Sequence, residues 1–398
     1  MKKRVLFVDD EPLVLQGLQR MLRSLRDEWD MVFVEGGERA LAVMAETKID
    51  VVVTDMRMPV MNGAQLLRVV KDRFPETVRL ILSGHADKDL VEQCLGVAHQ
   101  YISKPCEPEN LKSLIQNACC IGGDQVSDKI KDILGSIENL PSLPDLYRQL
   151  ENALTDPDVS TQKLGDIIAN DMGMTAKILK IVNSAFFGLR RSIFDAHQAV
   201  AYLGIDTVKA LVLVNSIFER AEPLRTRHLG LDDLWRHCLT TAAGAKAIAL
   251  TQGVSLSQAE EVFVGGILED VGILVLAANF PEAYDRAAEV LLAEKVLLTT
   301  VEQEEFGVTH AEVGAHLLGL WGIPAPVVEI VRLHHTPHLI REPGFSLVLA
   351  VNAADILAGE QGGNPIFRTG RFDMTALARL GVADRLEGWR STVLGQHT

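Results

Sequence analysis

The sequence predicts two kinds of domain, a doubly wound parallel α/β sheet at the N-terminus and an all-helical region after it. Between Val5 and about Cys119, short runs of valine, isoleucine and leucine alternate with amphipathic stretches of helix length, which is typical of a parallel sheet covered by helices. From about Leu140 onward, apolar residues recur at spacings of three and four, which indicates helices. With 398 residues, of which 47% are hydrophobic, the chain can form more than one packed core.

Five short apolar runs predict the five strands of the N-terminal sheet. In chain order they read VLFV, MVFV, VVVT, VRLIL and QYI, and segments of helix length separate them. We place this domain at residues 1–120. The sequence GGDQ then breaks the pattern, and the polar helical stretch from Ser127 to Glu138 leads to LPSLP. These features predict a helical connector over residues 121–139.

The remaining region, residues 140–398, is predicted to be all-helical. Apolar positions follow a helical period in five stretches: Leu146–Leu154, Leu164–Val182, Ala199–Phe218, Leu239–Leu250 and Val262–Leu276. The longest apolar segment contains Glu269 and Asp270 at its middle, and a lipid-facing segment would not tolerate two acids there. We therefore expect no membrane span.

Charge and cysteine content exclude several classes of protein. The net charge of −14, from 53 acidic and 39 basic residues, disfavours direct binding to DNA, because affinity for phosphates depends on clustered Lys and Arg. The five cysteines form no CxxC pair, and the first apolar run is too short for a secretory signal. We expect a cytoplasmic protein with reduced thiols.

Polar residues follow the predicted strands at one edge of the sheet. Asp9 and Asp10 end the first strand and Asp55 ends the third, while Ser83 ends the fourth and Lys104 follows the fifth. Since the carboxyl ends of parallel strands meet at one edge, these residues are expected to lie together. The three carboxylates would repel one another without a hard cation such as Mg²⁺. The set suits phosphoryl transfer, with Asp55 as the nucleophile, Lys104 neutralising the transferred oxygens and Ser83 bonding to the phosphate.

The segment from about Lys3 to Cys120 resembles the receiver domain of two-component response regulators, a flavodoxin-like fold. The resemblance rests on Asp9-Asp10, Asp55, Met58-Pro59, Gly63, Ser83, Tyr101 and Lys104-Pro105. It implies that a sensor histidine kinase phosphorylates Asp55. It also implies that Mg²⁺ is bound by Asp10, Asp55 and the backbone carbonyl of Arg57, with Asp9 as a neighbouring acid. Tyr101 would be the switch residue, turning inward when Ser83 moves toward the phosphate.

Residues from about Leu140 to Leu357 resemble the HDOD family of HD-related output domains. The resemblance rests on LPSLP, the triplet Asn183-Ser184-Ala185 and the stretch Ala199 to Gly204. In HD-type phosphohydrolases, histidines and aspartates hold transition metals that activate water. Matching by motif implies a vestigial metal site made of His237, Glu269, Asp270, His310, His334, His335 and Asp355.

Two departures from the HD pattern argue against catalysis. Glu269 stands where the HD pair has its histidine, and Ile273 or Leu274 stands where a lysine is usual. The carboxylate favours harder cations, and the missing lysine removes a group suited to a phosphodiester. We therefore expect a non-catalytic output domain that binds a downstream protein, with a cyclic-dinucleotide signalling enzyme as one candidate. The alternative is a receiver-regulated, metal-dependent phosphodiesterase acting on a cyclic dinucleotide, and formation of a homodimer is left open.

Each histidine also has a structural interpretation. His310 could cap a helix that begins near Ala311, and His334-His335 could end a helix before Thr336-Pro337. Asp270 needs a partner, because a buried carboxylate is costly unless it is paired. Its partner is expected to be either His237 or a metal ion.

Overall fold

The structure is a computed structural model of the chain, which divides into two compact units. The first covers residues 1–142 with the segment 316–323, and the second covers residues 143–315 and 324–398. The residues described are 2–75, 77–83, 97–98, 100–104, 111–112, 115, 144–154, 156, 159–183, 193–221, 226–361, 363–368 and 370–394, with the backbone alone at 83, 100, 101, 103, 145 and 217–221. The connector at 121–139 lies outside these residues, and the boundaries at 120 and 140 remain a prediction.

The first unit contains a five-stranded parallel sheet, which confirms the predicted α/β class. The strands lie in the order β2-β1-β3-β4-β5, and all five coincide with the predicted apolar runs. Their bounds are β1 (Lys3–Asp9), β2 (Trp29–Glu35), β3 (Val51–Asp55), β4 (Val78–Ser83) and β5 (Gln100–Ser103). The described helices of this unit are α1 (Pro12–Met21), α2 (Gly37–Glu46) and α3 (Gly63–Arg73).

Each face of the sheet has its own core. Val5 and Phe7 of β1 pack into one core, while Leu6 and Val8 pack into the other. Because both faces are buried, the strand is a continuous apolar run rather than an alternating one. Val8 pairs with Thr54 in the β1–β3 register, so the acids that follow them in sequence lie side by side at the carboxyl edge.

The chain passes from β3 into α3 through a turn that requires a glycine. Asn62 caps α3, since its side chain accepts the N–H of Gln65 and the Gln65 side chain accepts the N–H of Asn62. A Cβ on Gly63 would lie 2.2 Å from the backbone carbonyl oxygen of Asp55. A larger residue at this position would therefore displace the backbone of Asp55.

The described part of the second unit contains α-helices and short 3-10 turns and no strand, which agrees with the predicted all-helical class. The helices are α4 (Asp145–Leu154), α5 (Thr161–Ala169), α6 (Met172–Val182), α7 (Ala196–Leu203), α8 (Ile205–Ala221), α9 (Leu231–Thr251), α10 (Leu256–Leu268), α11 (Val271–Asn279), α12 (Pro281–Glu294), α13 (Leu298–Glu305), α14 (His310–Leu320), α15 (Ala325–Leu333), α16 (Leu347–Glu360), α17 (Met374–Leu380) and α18 (Leu386–Leu394).

Two of the predicted helical stretches are each divided by a turn. Leu164–Val182 contains α5 and α6, and the side chain of Asp171 accepts the N–H of Met174 to cap the second helix. Ala199–Phe218 contains parts of α7 and α8, which meet at Gly204 with a φ of +79°. A capping residue and a glycine thus end helices whose apolar period continues into the next helix.

A third turn divides Val262–Leu276 at Glu269 and Asp270. Close helix packing surrounds this turn. A Cβ on Gly272 would lie 2.0 Å from the carbonyl oxygen of His310, so α11 packs directly on the first residue of α14. A Cβ on Gly266 would lie 2.8 Å from the Cα of Ala242, which brings α10 equally close to α9.

The helix α16 lies at the centre of this unit and packs against α9 and α10. It is buried from Val348 to Ala358, including the polar residues Asn352 and Asp355. Among the described residues, no single helix has both the length and the apolar character needed to cross a bilayer. The helices Ala196–Leu203 and Ile205–Ser216 have that length and character only when they are taken together, and they are bent by 119°.

Candidate functional sites

Two carboxylates and one ammonium meet at the carboxyl edge of the sheet. The Nζ of Lys104 lies 3.2 Å from Oδ2 of Asp9 and forms a short ion pair with Oδ1 of Asp55. The other oxygen of each acid is held by the backbone: Asp9 Oδ1 accepts the N–H of Glu11 at 2.9 Å, and Asp55 Oδ2 accepts the N–H of Arg57 at 2.7 Å. Both carboxylates therefore have a defined orientation.

Exposure distinguishes the two acids. The side chain of Asp9 is 3% exposed and that of Asp55 is 13% exposed, while that of Lys104 is 34% exposed. Burial lowers the pKa of Lys104, but its hydrogen bond and ion pair with Asp55 and its attraction to Asp9 outweigh burial and raise the pKa. Lys104 is therefore an ammonium at neutral pH, next to a carboxylate that a reactant can approach from solvent.

The other residues predicted for this edge are placed as follows. Asp10 is half-buried immediately after β1, and Arg57 is exposed after β3. Ser83 ends β4 and Tyr101 lies within β5, but their side chains are outside the described part of the structure. The proposed switch movement of Ser83 and Tyr101 therefore remains a prediction.

All seven residues of the predicted vestigial metal site lie in one buried cluster. They come from α9, the α10–α11 turn, the start of α14, the end of α15 and α16. Their candidate ligand atoms form two groups, in each of which the atoms lie within 4.8 Å of one another. The first group, called the histidine-rich group, is Asp270, His310, His334 and His335, and the second, called the carboxylate-rich group, is His237, Glu269 and Asp355.

The partner of Asp270 is the imidazole of His310. Oδ1 of Asp270 lies 3.2 Å from Nε2 of His310, whereas His237 Nε2 lies 3.8 Å from Asp270 Oδ2. His237 instead bonds to Oδ1 of Asp355 at 3.0 Å. His237 or a metal ion was expected as the partner of Asp270. His237 lies within ion-pair distance of it but farther away than His310, which begins α14 and which Gly272 brings against α11.

Sequence reasoning did not identify Glu302, which also belongs to the cluster. Its Oε2 accepts the backbone N–H of His310 at 2.9 Å and lies 2.7 Å from the ring Nδ1. Glu302 shares the buried face of α13 with Leu298 and Val301, while Glu304 and Glu305 are exposed. The available signal was the spacing: Glu302 lies one residue after Val301 and four residues after Leu298, so a helix places this acid on the same face as two buried apolar residues.

His334 has a defined tautomer with one free nitrogen. Its Nδ1 lies 2.7 Å from the carbonyl oxygen of Val331, and a carbonyl only accepts, so Nδ1 carries the hydrogen. In the neutral ring, Nε2 then has a lone pair, and it lies 4.0 Å from Oδ1 of Asp270. Within the described residues this nitrogen is buried and has no hydrogen-bond partner. His334 is the C-cap of α15 and His335 follows it, which agrees with the structural interpretation of the pair as the end of a helix.

The pKa values of the histidines separate into two classes. Burial lowers the pKa of His310, but the charges of Glu302 and Asp270 outweigh it and raise the pKa to about 10. His237 also has a raised pKa, because its bond to Asp355 outweighs burial. Burial and the positive charge of His310 lower the pKa of His334, and burial with the neighbouring histidines lowers that of His335 still further.

The two acids at the α10–α11 turn also differ. Burial and the negative charges of Asp355 and Asp270 raise the pKa of Glu269 well above its usual range. Burial alone would raise the pKa of Asp270, but its bond to His310 and the charges of the histidines lower it. The raised pKa of Glu269 and the raised pKa values of His310 and His237 all reduce the net negative charge of the cluster.

The donor atoms of the cluster fit a metal ion. Both oxygens of Glu269, Oδ2 of Asp355 and Nε2 of His334 are buried without a hydrogen-bond partner in the described part of the chain. Among the described residues, no Lys or Arg forms an ion pair with Glu269, Asp270 or Asp355. Imidazole nitrogens and carboxylate oxygens are the ligands of zinc and similar cations.

Comparison with protein families identifies both parts of the chain. Residues 5–116 match the response regulator receiver domain, and residues 140–337 match the HDOD domain. The chain carries a receiver domain followed by an HDOD domain. Its architecture is therefore that of a response regulator of a two-component system.

Individual relatives match parts of this receiver–HDOD chain. An uncharacterised protein of Treponema pallidum is 26% identical over 63% of the chain and 47% of its own length. The hydrogenase transcriptional regulatory protein HoxA of Cupriavidus necator is 33% identical over 29% of the chain and 23% of its own length. The chain thus spans less than half of either protein. A crystal structure of an HDOD domain protein from Geobacter sulfurreducens, 23% identical, superposes with a TM-score of 0.51 over 68% of the chain and 97% of that protein, and shows a shared fold.

Proposed function

We propose that a sensor histidine kinase phosphorylates the receiver domain on Asp55 and that this phosphorylation controls how the HDOD domain binds a protein partner. The observation that carries the first half is the position of Lys104, which contacts both Asp9 and the more exposed Asp55. One ammonium beside an accessible carboxylate is suited to neutralise a phosphoryl group as it arrives.

The residues at this edge also fit Mg²⁺, because the ion prefers oxygen ligands and retains several waters. Asp10, Asp55 and the backbone carbonyl of Arg57 would hold it, with Asp9 beside them. The ion would neutralise charge on the phosphoryl oxygens. A carboxylate oxygen of Asp55 forms a bond to phosphorus while the bond from phosphorus to the donor breaks, and Lys104 donates to a phosphoryl oxygen.

Phosphoryl uptake tests this half directly. The full chain would be incubated with acetyl phosphate and Mg²⁺, and its intact mass measured. Wild type should gain one phosphoryl group, and Asp55→Ala should gain none. Asp30→Asn, which removes a carboxylate exposed on the same domain, should behave as wild type. Uptake by Asp55→Ala equal to wild type would show that the phosphoacceptor lies elsewhere.

We propose that the HDOD domain acts by binding and has no hydrolytic activity. Four carboxylates contribute to its buried cluster, and neither Lys nor Arg pairs with the three at the candidate ligand positions in the described part of the chain. A phosphodiester would therefore find neither a lysine nor an arginine of the described residues paired with these carboxylates and available to bind it. The side chains of Glu269, Asp270 and Asp355 are at most 6% exposed, which leaves little access for a nucleotide.

A hydrolysis assay separates this proposal from the phosphodiesterase alternative. Protein supplied with Mn²⁺ would be incubated with a cyclic dinucleotide, and the expected result is no turnover. Turnover that disappears in Asp270→Ala would establish an enzyme. The binding function would be tested by measuring the affinity of unphosphorylated and phosphorylated protein for purified cyclic-dinucleotide signalling enzymes. Asp55→Ala is the control, because the phosphodonor should not change the affinity of this variant.

We also propose that the HDOD cluster binds a transition-metal dication. Nε2 of His334 and both oxygens of Glu269 support this proposal, because they are buried without a hydrogen-bond partner in the described part of the chain. Leaving such polar atoms unsatisfied lowers the free energy of unfolding, and a bound cation would satisfy them. The ion would be structural, joining segments that are distant in sequence. Metal content of protein purified without chelator, compared with Asp270→Ala, tests it.

A further inference from the structure

Glu302 holds the imidazole of His310 from behind. Both of its contacts are made by Oε2, one to the backbone N–H of His310 and the other to the ring Nδ1. The carboxylate is completely buried on α13, and His310 is the first residue of α14. Because the backbone N–H and the imidazole ring both belong to His310, this single carboxylate oxygen fixes the position of the residue and the rotation of its ring.

This contact also selects which ring nitrogen is available to a cation. An acceptor at Nδ1 keeps the hydrogen there, so Nε2 is the nitrogen that can donate a lone pair when it is not protonated. Nε2 of His310 faces Oδ1 of Asp270 at 3.2 Å and Nε2 of His335 at 2.9 Å. A carboxylate behind an imidazole is the arrangement found behind metal-binding histidines, where it raises the basicity of the ring.

The free nitrogen of His334 points to the same place independently of Glu302. Nε2 of His334, which carries the lone pair, lies 4.0 Å from Oδ1 of Asp270. The backbone carbonyl of Val331 accepts the hydrogen of Nδ1 and so fixes the ring. The side-chain amide of Asn352 also donates to the backbone carbonyl of His334 at 2.7 Å, which attaches this residue to α16. Two imidazoles, each fixed through Nδ1, thus converge on one carboxylate oxygen.

We propose that Glu302 is the positioning residue of a metal site formed by the histidine-rich group, and that this group takes the first ion bound by the cluster. The proposal rests on the metal binding proposed above. Three imidazoles and one carboxylate favour Zn²⁺, Co²⁺ or another borderline cation, whereas the carboxylate-rich group has only one imidazole. The first ion would join the α10–α11 turn, α14 and the end of α15.

Titration with Co²⁺ tests the proposal, because the visible absorption of this ion reports its ligands as well as its binding. The full chain, treated with chelator and dialysed, would be titrated with Co²⁺ alone. Glu302→Gln and Glu302→Asp should weaken the first binding event ten- to a hundredfold and alter the absorption band. Glu304→Gln, an exposed acid on the same helix, should leave both unchanged.

Glu269→Gln separates the two groups, since it changes only the carboxylate-rich group. It should weaken a later binding event and change the affinity of the first event less than either Glu302 variant does. A first event of wild-type affinity and spectrum in a folded Glu302 variant would overturn the positioning role. Loss of that event in Glu269→Gln with retention in Glu302→Gln would place the ion in the other group and also overturn it. If folded wild-type protein binds no Co²⁺, the metal site itself is wrong, which is a distinct result.

Discussion

The receiver and the HDOD domain each gather carboxylates, but they balance the negative charge in different ways. In the receiver, Lys104 balances Asp9 and Asp55, and Asp55 keeps 13% of its side chain exposed. In the HDOD cluster, imidazoles take the place of lysine and the acids are almost completely buried. The difference agrees with the two functions proposed above, in which the first site exchanges a phosphoryl group with solvent and the second retains a cation.

The two sites nevertheless share one structural device. Each contains a glycine in the first turn of a helix that lies against the backbone carbonyl of a site residue. A Cβ on Gly63 would meet the carbonyl oxygen of Asp55 at 2.2 Å, and a Cβ on Gly272 would meet that of His310 at 2.0 Å. In both domains the absence of a side chain sets the position of the functional backbone.

The largest expected effect comes from filling these contacts. Gly272→Ala should destabilise the HDOD domain by about 3 kcal/mol or more, because the Cβ forces backbone apart, and it should also reduce metal binding. Urea unfolding and metal content would measure the two effects. Gly63→Ala should act in parallel on the receiver by reducing phosphoryl uptake and leaving the HDOD metal content unchanged.

Matched glycines provide the control. A Cβ at Gly388 in α18 or at Gly17 in α1 would have no neighbour within 4 Å among the residues that the structure describes. Alanine at these positions should be neutral or stabilise by up to about 1 kcal/mol through helix propensity. If Gly272→Ala were as harmless as Gly388→Ala, close packing of α11 on α14 would not position the cluster.

The second prediction concerns which cation each domain selects. A bound ion stabilises the native state by about 2.7 kcal/mol at a free concentration one hundred times its Kd. We expect Mg²⁺ to raise the unfolding temperature of the receiver and Zn²⁺ that of the HDOD domain, measured by calorimetry of chelator-treated protein. Asp55→Ala and Asp270→Ala identify the two transitions. Equal effects of both ions on both transitions would remove the distinction between the sites.

The two sites also differed in how far the sequence could predict them. The receiver edge was predictable because the end of each strand is a local feature and parallel strands meet at one edge. The seven cluster residues were found by resemblance, but their pairing was not. It depends on helix contacts between residues far apart in sequence, such as Gly272 with His310, which periodicity does not report.

Helix boundaries show the same limitation. The stretch Val262–Leu276 is apolar except near Glu269 and Asp270, and its helical period does not report the turn that the structure has at these two residues. Asp171 and Gly204 carry local signals of a helix start and a left-handed turn, although the apolar period continues across both. Capping residues and glycines therefore locate helix ends that the apolar period does not report.

A third prediction removes the only ammonium shown to pair with Asp9 and Asp55 among the described residues. Lys104→Ala should destabilise the receiver by about 2 kcal/mol in the absence of Mg²⁺, because it leaves the buried Asp9 next to Asp55 without a counter-charge. Saturating Mg²⁺ should remove most of the loss. Lys3→Ala, which breaks a looser pair with Asp50 at 3.8 Å, should cost less than about 1 kcal/mol. A loss that Mg²⁺ does not change would argue against shared charge compensation.

The smallest expected effect isolates burial from metal chemistry. Tyr147 on α4 is a buried acid outside the cluster, with Lys209 5.5 Å from its ring centre and Glu151 and Asp206 nearby. Burial and then the charges of Glu151 and Asp206 raise its pKa well above the usual range. The unfolded chain loses this proton near pH 10 and the folded chain does not.

Stability contributed by Tyr147 is therefore complete below about pH 10 and is lost as pH rises further, by about 1.4 kcal/mol per pH unit. Urea unfolding between pH 9 and 11 should show this loss, and Tyr147→Phe should reduce it because the variant has no ionisable hydroxyl. Since no metal ligand changes, Co²⁺ binding at pH 7 should be the same in both proteins. An identical alkaline loss in Tyr147→Phe would show that other groups cause it. If Tyr147→Phe does reduce the loss, the contrast with the cluster is that a buried acid needs imidazoles or a cation only where it must stay charged.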